Sequence, residues 1–253
     1  METSTGTTEA SPVSPRGSLA SMWPRLAAVL ISTILLTSCG TPLPTYRYRL
    51  TVTAQTPEGV RQGSSVIEVR TTEVGKHALP QDRGLRKHVE GEAVVVDLGQ
   101  RGLLVAMLRD RSGQGWPAFV LHSLLRPPAS PMGETDRQHF DRVLALRGLH
   151  DLPRVTGTGA TRMDNYPVLL RFPADGATVG AAPVNPDALA AAFGPGVALT
   201  RITIEPTDAP ITRRIRKRLT WLSDDEKRLG AKFRANPRTA DLGLGTMDFD
   251  RDL

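Results

Sequence analysis

The chain has 253 residues, 40% of them hydrophobic, a formal net charge of +6 and one cysteine, Cys39. A single thiol excludes a disulfide-stapled scaffold, so stability must come from a packed core, and the length allows one large domain or two small ones. Five of the positive charges fall in Arg213, Arg214, Arg216, Lys217 and Arg218, which excludes a generally basic protein and leaves a local patch.

Residues 1–21 are rich in Ser, Thr, Gly and Pro and are expected to be disordered. They carry Glu2 and Glu9, a poor flank for a signal peptide, whereas Met22-Trp23-Pro24-Arg25 is a good one, so translation is expected to begin at Met22. The apolar run 26–36 follows, interrupted only by Ser32 and Thr33. A membrane-spanning helix needs roughly 20 such residues, and a signal-peptide core about 7–15, so the run reads as the second. Leu36-Thr37-Ser38-Cys39 after it resembles the lipobox of bacterial lipoprotein signal peptides, whose cysteine sulfur is joined to diacylglycerol and whose chain is cut just before it. That resemblance implies a signal segment over 1–38, acyl chains on Cys39 holding the protein to a membrane, and a lipidated tether over 39–45. Thr41-Pro42-Leu43-Pro44 makes the tether stiff. Two or three acyl chains anchor stably where one does so marginally. Gly40 stands where Asp would hold such a lipoprotein at the inner membrane, which implies an outer-membrane location facing the periplasm if the source is Gram-negative.

The body is expected to span 46–235. Tyr46, Tyr48, Leu50 and Val52 alternate with Arg47, Arg49, Thr51 and Thr53, the period of a strand with two unlike faces. Pro57-Glu58-Gly59 supplies a turn, and Ile67 and Val69 continue the alternation in a partner strand. Ser64-Ser65 marks the start of that strand. The polar stretch holding His77, Pro80, Arg83, Arg86, Lys87 and His88 reads as a loop or short helix. Residues 93–98 and 103–108 are continuously apolar around Gly99-Gln100-Arg101-Gly102, which predicts a second hairpin with both faces covered, Val95 and Val105 buried.

Helical patterns follow. Thr135 with Gln138 forms a capping box ahead of Phe140, Val143 and Leu144, and Gly148 closes the element. Asn185-Pro186-Asp187 predicts a helix through Phe193 with Asn185 as cap and Gly194 beyond its end. Apolar runs at 168–170 and 202–204 flank it as a strand–helix–strand unit. Ser223 with Glu226 predicts another capping box before Leu229 and Phe233. Ile211, Ile215, Leu219 and Leu222 would form one apolar stripe if that segment is helical, leaving the basic run facing outward. Residues 236–253 show no periodicity and read as a tail. The proline-bearing stretch 126–134 reads as a connection inside one domain. The fold class is α+β: antiparallel hairpins forming a sheet with a few short helices, in a single domain behind the signal segment.

No serine-hydrolase elbow, zinc-protease motif or phosphate loop is present, and no cofactor or metal is expected. His77 and His88, and likewise His139 and His150, are spaced wrongly for two ligands on one helix face. Gly157-Thr158-Gly159-Ala160-Thr161-Arg162 reads as a connector. Asp248, Asp250 and Asp252 lack the glycine and distal glutamate of a calcium loop.

Tyr46-Arg47-Tyr48-Arg49-Leu50, Gly63-Ser64-Ser65-Val66-Ile67-Glu68-Val69, Val184-Asn185-Pro186-Asp187 and Arg218-Leu219-Thr220-Trp221-Leu222 together resemble a group of functionally uncharacterised proteobacterial lipoprotein-like proteins. The resemblance implies no activity. The expectation is a lipid-anchored envelope protein acting as a non-catalytic binding or assembly component, with envelope proteins as partners. The five basic residues from Arg213 onward are expected to meet anionic lipid or lipopolysaccharide, and nucleic acid is not expected behind such a signal. The alternative is an envelope hydrolase built from dispersed residues such as Asp97, His122, Asp141 and Asp164.

Overall fold

Alternation of apolar and polar side chains dominates the architecture. In a computed structural model of the chain, residues 3, 40–75, 79, 81, 83–111, 113, 115–125, 133–159, 162–224 and 226–251 are described. Cys39, the expected signal segment apart from residue 3, His77, Pro80, the stretch 126–132 and the side chain of Glu226, on which the second capping box depends, lie outside the described residues. Thr41–Leu253 forms one compact α+β unit.

The strands are β1 (Thr41–Pro42), β2 (Tyr46–Thr56), β3 (Gly59–Val74), β4 (Gly84–Glu90), β5 (Val94–Asp97), β6 (Leu103–Ala106), β7 (His150–Asp151), β8 (Val155–Thr156), β9 (Met163–Asp164), β10 (Leu169–Phe172), β11 (Ala182–Pro183) and β12 (Ala198–Pro206). The helices are α1 (Trp116–Phe119), α2 (Asp136–Leu144), α3 (Leu189–Phe193), α4 (Ile215–Arg218) and α5 (Glu226–Ala235). One antiparallel sheet runs β1-β3-β2-β12-β7, with β4 also paired to β3, and a second runs β11-β10-β6-β5. The β8–β9 pair stands apart.

The first expected hairpin forms in register from Tyr46↔Val69 to Thr56↔Gly59. Tyr48, Leu50, Val52, Ile67 and Val69 fall on its buried side. Ser64 and Ser65 sit in mid-strand rather than at its start, because pairing with β2 carries β3 back to Gly59. The second hairpin pairs Val94↔Ala106 through Asp97↔Leu103. Gly102 takes φ +108° at its turn, and a Cβ there would strike the carbonyl of Phe172. Val105 is buried as expected, whereas Val95 is only half-buried because β5 is the last strand of its sheet. The backbone of Val95 instead presses on β3 at Gly63, where a Cβ would clash with its carbonyl. Glycine at that point lets the two sheets meet.

Several expectations are corrected. Arg86, Lys87 and His88 belong to β4, drawn into a ladder with β3 from Glu68↔Glu90 to Val74↔Gly84. The flanking runs of the strand–helix–strand unit enter different sheets, β10 and β12. Asn185 makes a local turn, accepting from the Asp187 amide at 3.0 Å, so the helix begins only at Leu189. The Thr135–Gln138 capping box is present in full. The apolar stripe docks through Ile215, Leu219 and Leu222, all buried, although α4 lasts one turn before Leu219 turns to φ −116°, ψ 75°. The tether is not free throughout: Thr41 and Pro42 pair with Glu73 and Thr72, and the Leu43 amide donates to Thr71 O.

The largest correction concerns the expected tail. Leu244, Asp248, Phe249 and Asp250 are all buried. Phe249 joins Phe172, Trp221 and Phe233 in an aromatic cluster with centroids 5.1–6.5 Å apart, and Asp250 bridges to Glu92. Isolated aromatics carry no period, yet four of them close one end of the core.

Candidate functional site

Beside this core lies a cleft of about 1140 Å³, above the roughly 300–1,000 Å³ usual for pockets that hold drug-sized ligands. Its wall is built from α1 and the 3₁₀ turn Val120–Leu124, the β8–β9 pair and the start of β10. Pro117 opens α1. The short element is held from below by sheet side chains: Tyr48 donates to Pro117 O at 2.8 Å, and Tyr46 and Lys87 donate to Ala118 O at 3.3 and 3.1 Å. Burial raises both tyrosine pKa values, so they remain donors.

The opposite wall is pinned by Asn165, whose side chain donates to Pro153 O at 2.9 Å, while its carbonyl accepts the indole N–H of Trp116 at 2.8 Å. Arg154 pairs with Asp164 and Asp187 and lies 4.9 Å from the centroid of Tyr166. Trp116, Leu169 and Val184 give the cleft buried apolar lining, Val168 is half-buried, and Phe119 and Met163 line it while exposed by 53% and 61%.

His122 closes one end. Its Nε2 is 2.8 Å from Lys87 Nζ and its Nδ1 is 2.6 Å from His139 Nε2, while His139 Nδ1 is 3.2 Å from Glu134. Burial, aided by the neighbouring Lys87 and His139, pushes His122 down to about 3, so it is neutral. Burial likewise pushes the Lys87 ammonium down to about 8, although Asp136 acts in the opposite direction. No three His, Cys, Asp or Glu side chains among the described residues come together to hold a metal ion. Both ring nitrogens of His122 are occupied, and Ser123 donates to Val120 O at 2.7 Å, so these two neighbours do not pair with each other.

Of the dispersed acids and histidine named from sequence, His122 and Asp164 reach this cleft. Asp97 instead caps the Gly99 amide and pairs with Arg218, and Asp141 pairs with Arg137 one turn away on α2. The basic run lies elsewhere and is largely matched. Arg213 pairs with Glu90, Arg216 with Asp250 at 2.6 Å, and Arg218 with Asp97. The Glu92 carboxylate takes the amides of Arg214 and Ile215 at 2.5 and 2.7 Å. Of the five side chains, only those of Arg214 and Lys217 have no carboxylate partner among the described residues. Sequence reasoning missed Lys87, His139 and Glu134, whose separations of 35 and 17 residues from His122, for Lys87 and His139, match no local motif.

No protein-family model, curated protein or solved structure matches this chain. Among the described residues no helix is long and apolar enough to cross a membrane.

Proposed function

We propose that the protein is a lipid-anchored component of the cell envelope that binds an apolar ligand in the cleft between α1 and the β8–β9 pair. The observation that carries the reading is a large, already formed concavity whose exposed side chains include Phe119 and Met163. Exposed apolar groups gathered in one concave site mark binding surfaces. Arg154 and Asp164, two charged side chains of the cleft, are paired with each other, and Arg154 also with Asp187, which suits holding a ligand more than transforming it. The anchor rests on the lipobox-like sequence ending at Cys39, and Gly40 after it supports a location at the periplasmic face of an outer membrane if the source is Gram-negative.

The test is a titration of the full-length protein in detergent below its critical concentration with the fluorescent apolar probe N-phenylnaphthylamine. Saturable binding is expected, weakened about tenfold by Phe119→Ala, which loses an aromatic contact of roughly 1.4 kcal/mol. Absence of saturable binding would remove the reading. The anchor is tested separately: Cys39→Ser should move the protein from the membrane to the soluble fraction.

A further inference from the structure

The pairing of the tether fixes where the anchor leaves the domain. Thr41 and Pro42 pair with Glu73 and Thr72, the Leu43 amide donates to Thr71 O at 2.8 Å, and the Leu43 side chain is buried. Of the stretch 39–45 expected to be tether, only Cys39 and Gly40 precede the first paired residue. Two residues span at most about 7 Å, so the cysteine expected to carry the acyl chains stays close to the Thr41–Glu73 rung. The pairing is antiparallel, so the chain reaches β1 from the Val74 end of β3.

That end of the sheet is suited to a lipid surface. β3 ends at Val74 and β4 starts opposite it at Gly84, so the last rungs of this ladder share one end with the tether. Val74 and Leu85 there are half-buried, and Leu79, in the sequence between the two strands, is 62% exposed. Arg83 and Arg86 add exposed guanidinium groups, and Arg137 on α2 lies 3.8 Å from Glu73. The described acids at this end are Glu73, in that pair, and Asp136, beside Gly84. An exposed leucine among arginines fits the boundary of a bilayer, where apolar side chains sink about 5–10 Å and basic ones meet phosphates. Val60 is as exposed, at 63%, but stands at the other end of β3.

We propose that the Val74–Gly84 end of the first sheet is the surface that meets the phospholipid layer, held against it by a tether of only two residues; this rests on the anchor reading above. The domain is then oriented on the membrane instead of swinging on a free leash. The cleft lies near that surface. Lys87 is three residues from Gly84, about 10 Å along β4, and its ammonium is 2.8 Å from His122 at one end of the cleft. An apolar ligand leaving the lipid layer has a short path to the site.

The test uses the full-length acylated protein in vesicles of phosphatidylethanolamine and phosphatidylglycerol that carry a lipid with a nitroxide headgroup. Leu79→Cys, Val60→Cys and Arg214→Cys each receive a nitrobenzoxadiazole fluorophore, the Cys39 sulfur being occupied by lipid. The Leu79→Cys probe is expected to be quenched at least about fivefold more than the Val60→Cys probe, because only a site within the headgroup layer meets the nitroxide. Inserting about ten Gly and Ser residues between Gly40 and Thr41 should lower the Leu79→Cys quenching at least about twofold, since a flexible tether frees the domain. Equal quenching at Leu79→Cys and Val60→Cys, quenching greatest at Arg214→Cys, or no change on lengthening the tether overturns the proposal. Each of these outcomes leaves the anchor reading standing while the protein floats with the vesicles. If the unsubstituted chain takes up the fluorophore at Cys39 and stays out of the vesicles, the anchor reading fails and the proposal with it.

Discussion

The basic run beginning at Arg213 and the cleft around His122 differ in how they are written and in how they are used. Arg213, Arg214, Arg216, Lys217 and Arg218 are adjacent in the chain and look available, yet folding brings Glu90, Asp250 and Asp97 to three of them and Glu92 to the backbone between them. Lys87, His122, His139 and Glu134 are scattered, yet folding places them in one chain at the end of a cleft. Density of charge along a sequence therefore says little about available charge. What decides it is which carboxylates the sheets carry alongside.

The sharpest way to break this contrast is at Glu92, which is 4% exposed and accepts two backbone amides of the basic segment. Glu92→Ala leaves a buried donor, the Ile215 amide, and a part-buried one, the Arg214 amide, unpaired and is expected to cost about 3 kcal/mol, read by chemical denaturation. A loss below about 1 kcal/mol would mean that the segment is not held by this carboxylate.

The cleft end is tested by pH. His122 is depressed to about 3, below the ordinary ~6.5, so the unfolded chain takes up the proton first as pH falls. The associated stability is complete above about pH 6.5 and declines as pH drops toward 3, amounting to a loss of about 2 kcal/mol at pH 5 relative to pH 8. The window between pH 6.5 and 5 is diagnostic, because Glu58 and Glu68, lowered by their arginine partners, and Asp97, lowered by the Gly99 amide and then Arg218, act below it. His122→Gln should flatten the profile in that window. Persistence of the full decline would assign it to other groups.

The hairpins and the Thr135–Gln138 cap were legible because strand alternation and capping are local. The two sheets were not, since Val168-Leu169-Leu170 and Ile202-Thr203-Ile204 read alike while β10 pairs with β6 and β12 with β2. The packed C-terminus was invisible for a related reason: Phe249 acquires its meaning only from Phe172, Trp221 and Phe233. The site was least legible, because its residues come from β4, the turn after α1, the segment leading into α2 and α2 itself, and no spacing links them.

Smaller effects sharpen the picture of the basic run. Arg216→Gln, which takes the guanidinium from the buried Asp250 carboxylate, should cost about 2 kcal/mol, Arg213→Gln and Arg218→Gln about 0.5–1 kcal/mol each, and Arg214→Gln and Lys217→Gln less than about 0.5 kcal/mol. If the last two proved as costly as the other three, the pairing described for this segment would be wrong. Conversely, adhesion of the protein to anionic vesicles at low salt should depend more on Arg214 and Lys217 than on the paired arginines.

The central claim is that the cleft, and not the basic run, receives the ligand. Nuclear magnetic resonance of the full-length protein in detergent micelles, titrated with N-phenylnaphthylamine, tests this through two indole N–H signals. Trp116 lines the cleft with its indole on Asn165 O, while the Trp221 indole donates to Gly176 O at 2.7 Å inside the aromatic cluster that follows the basic run. The account predicts that the Trp116 signal shifts saturably and the Trp221 signal stays in place. A shift of Trp221 together with residues 213–218, and none at Trp116, would contradict it.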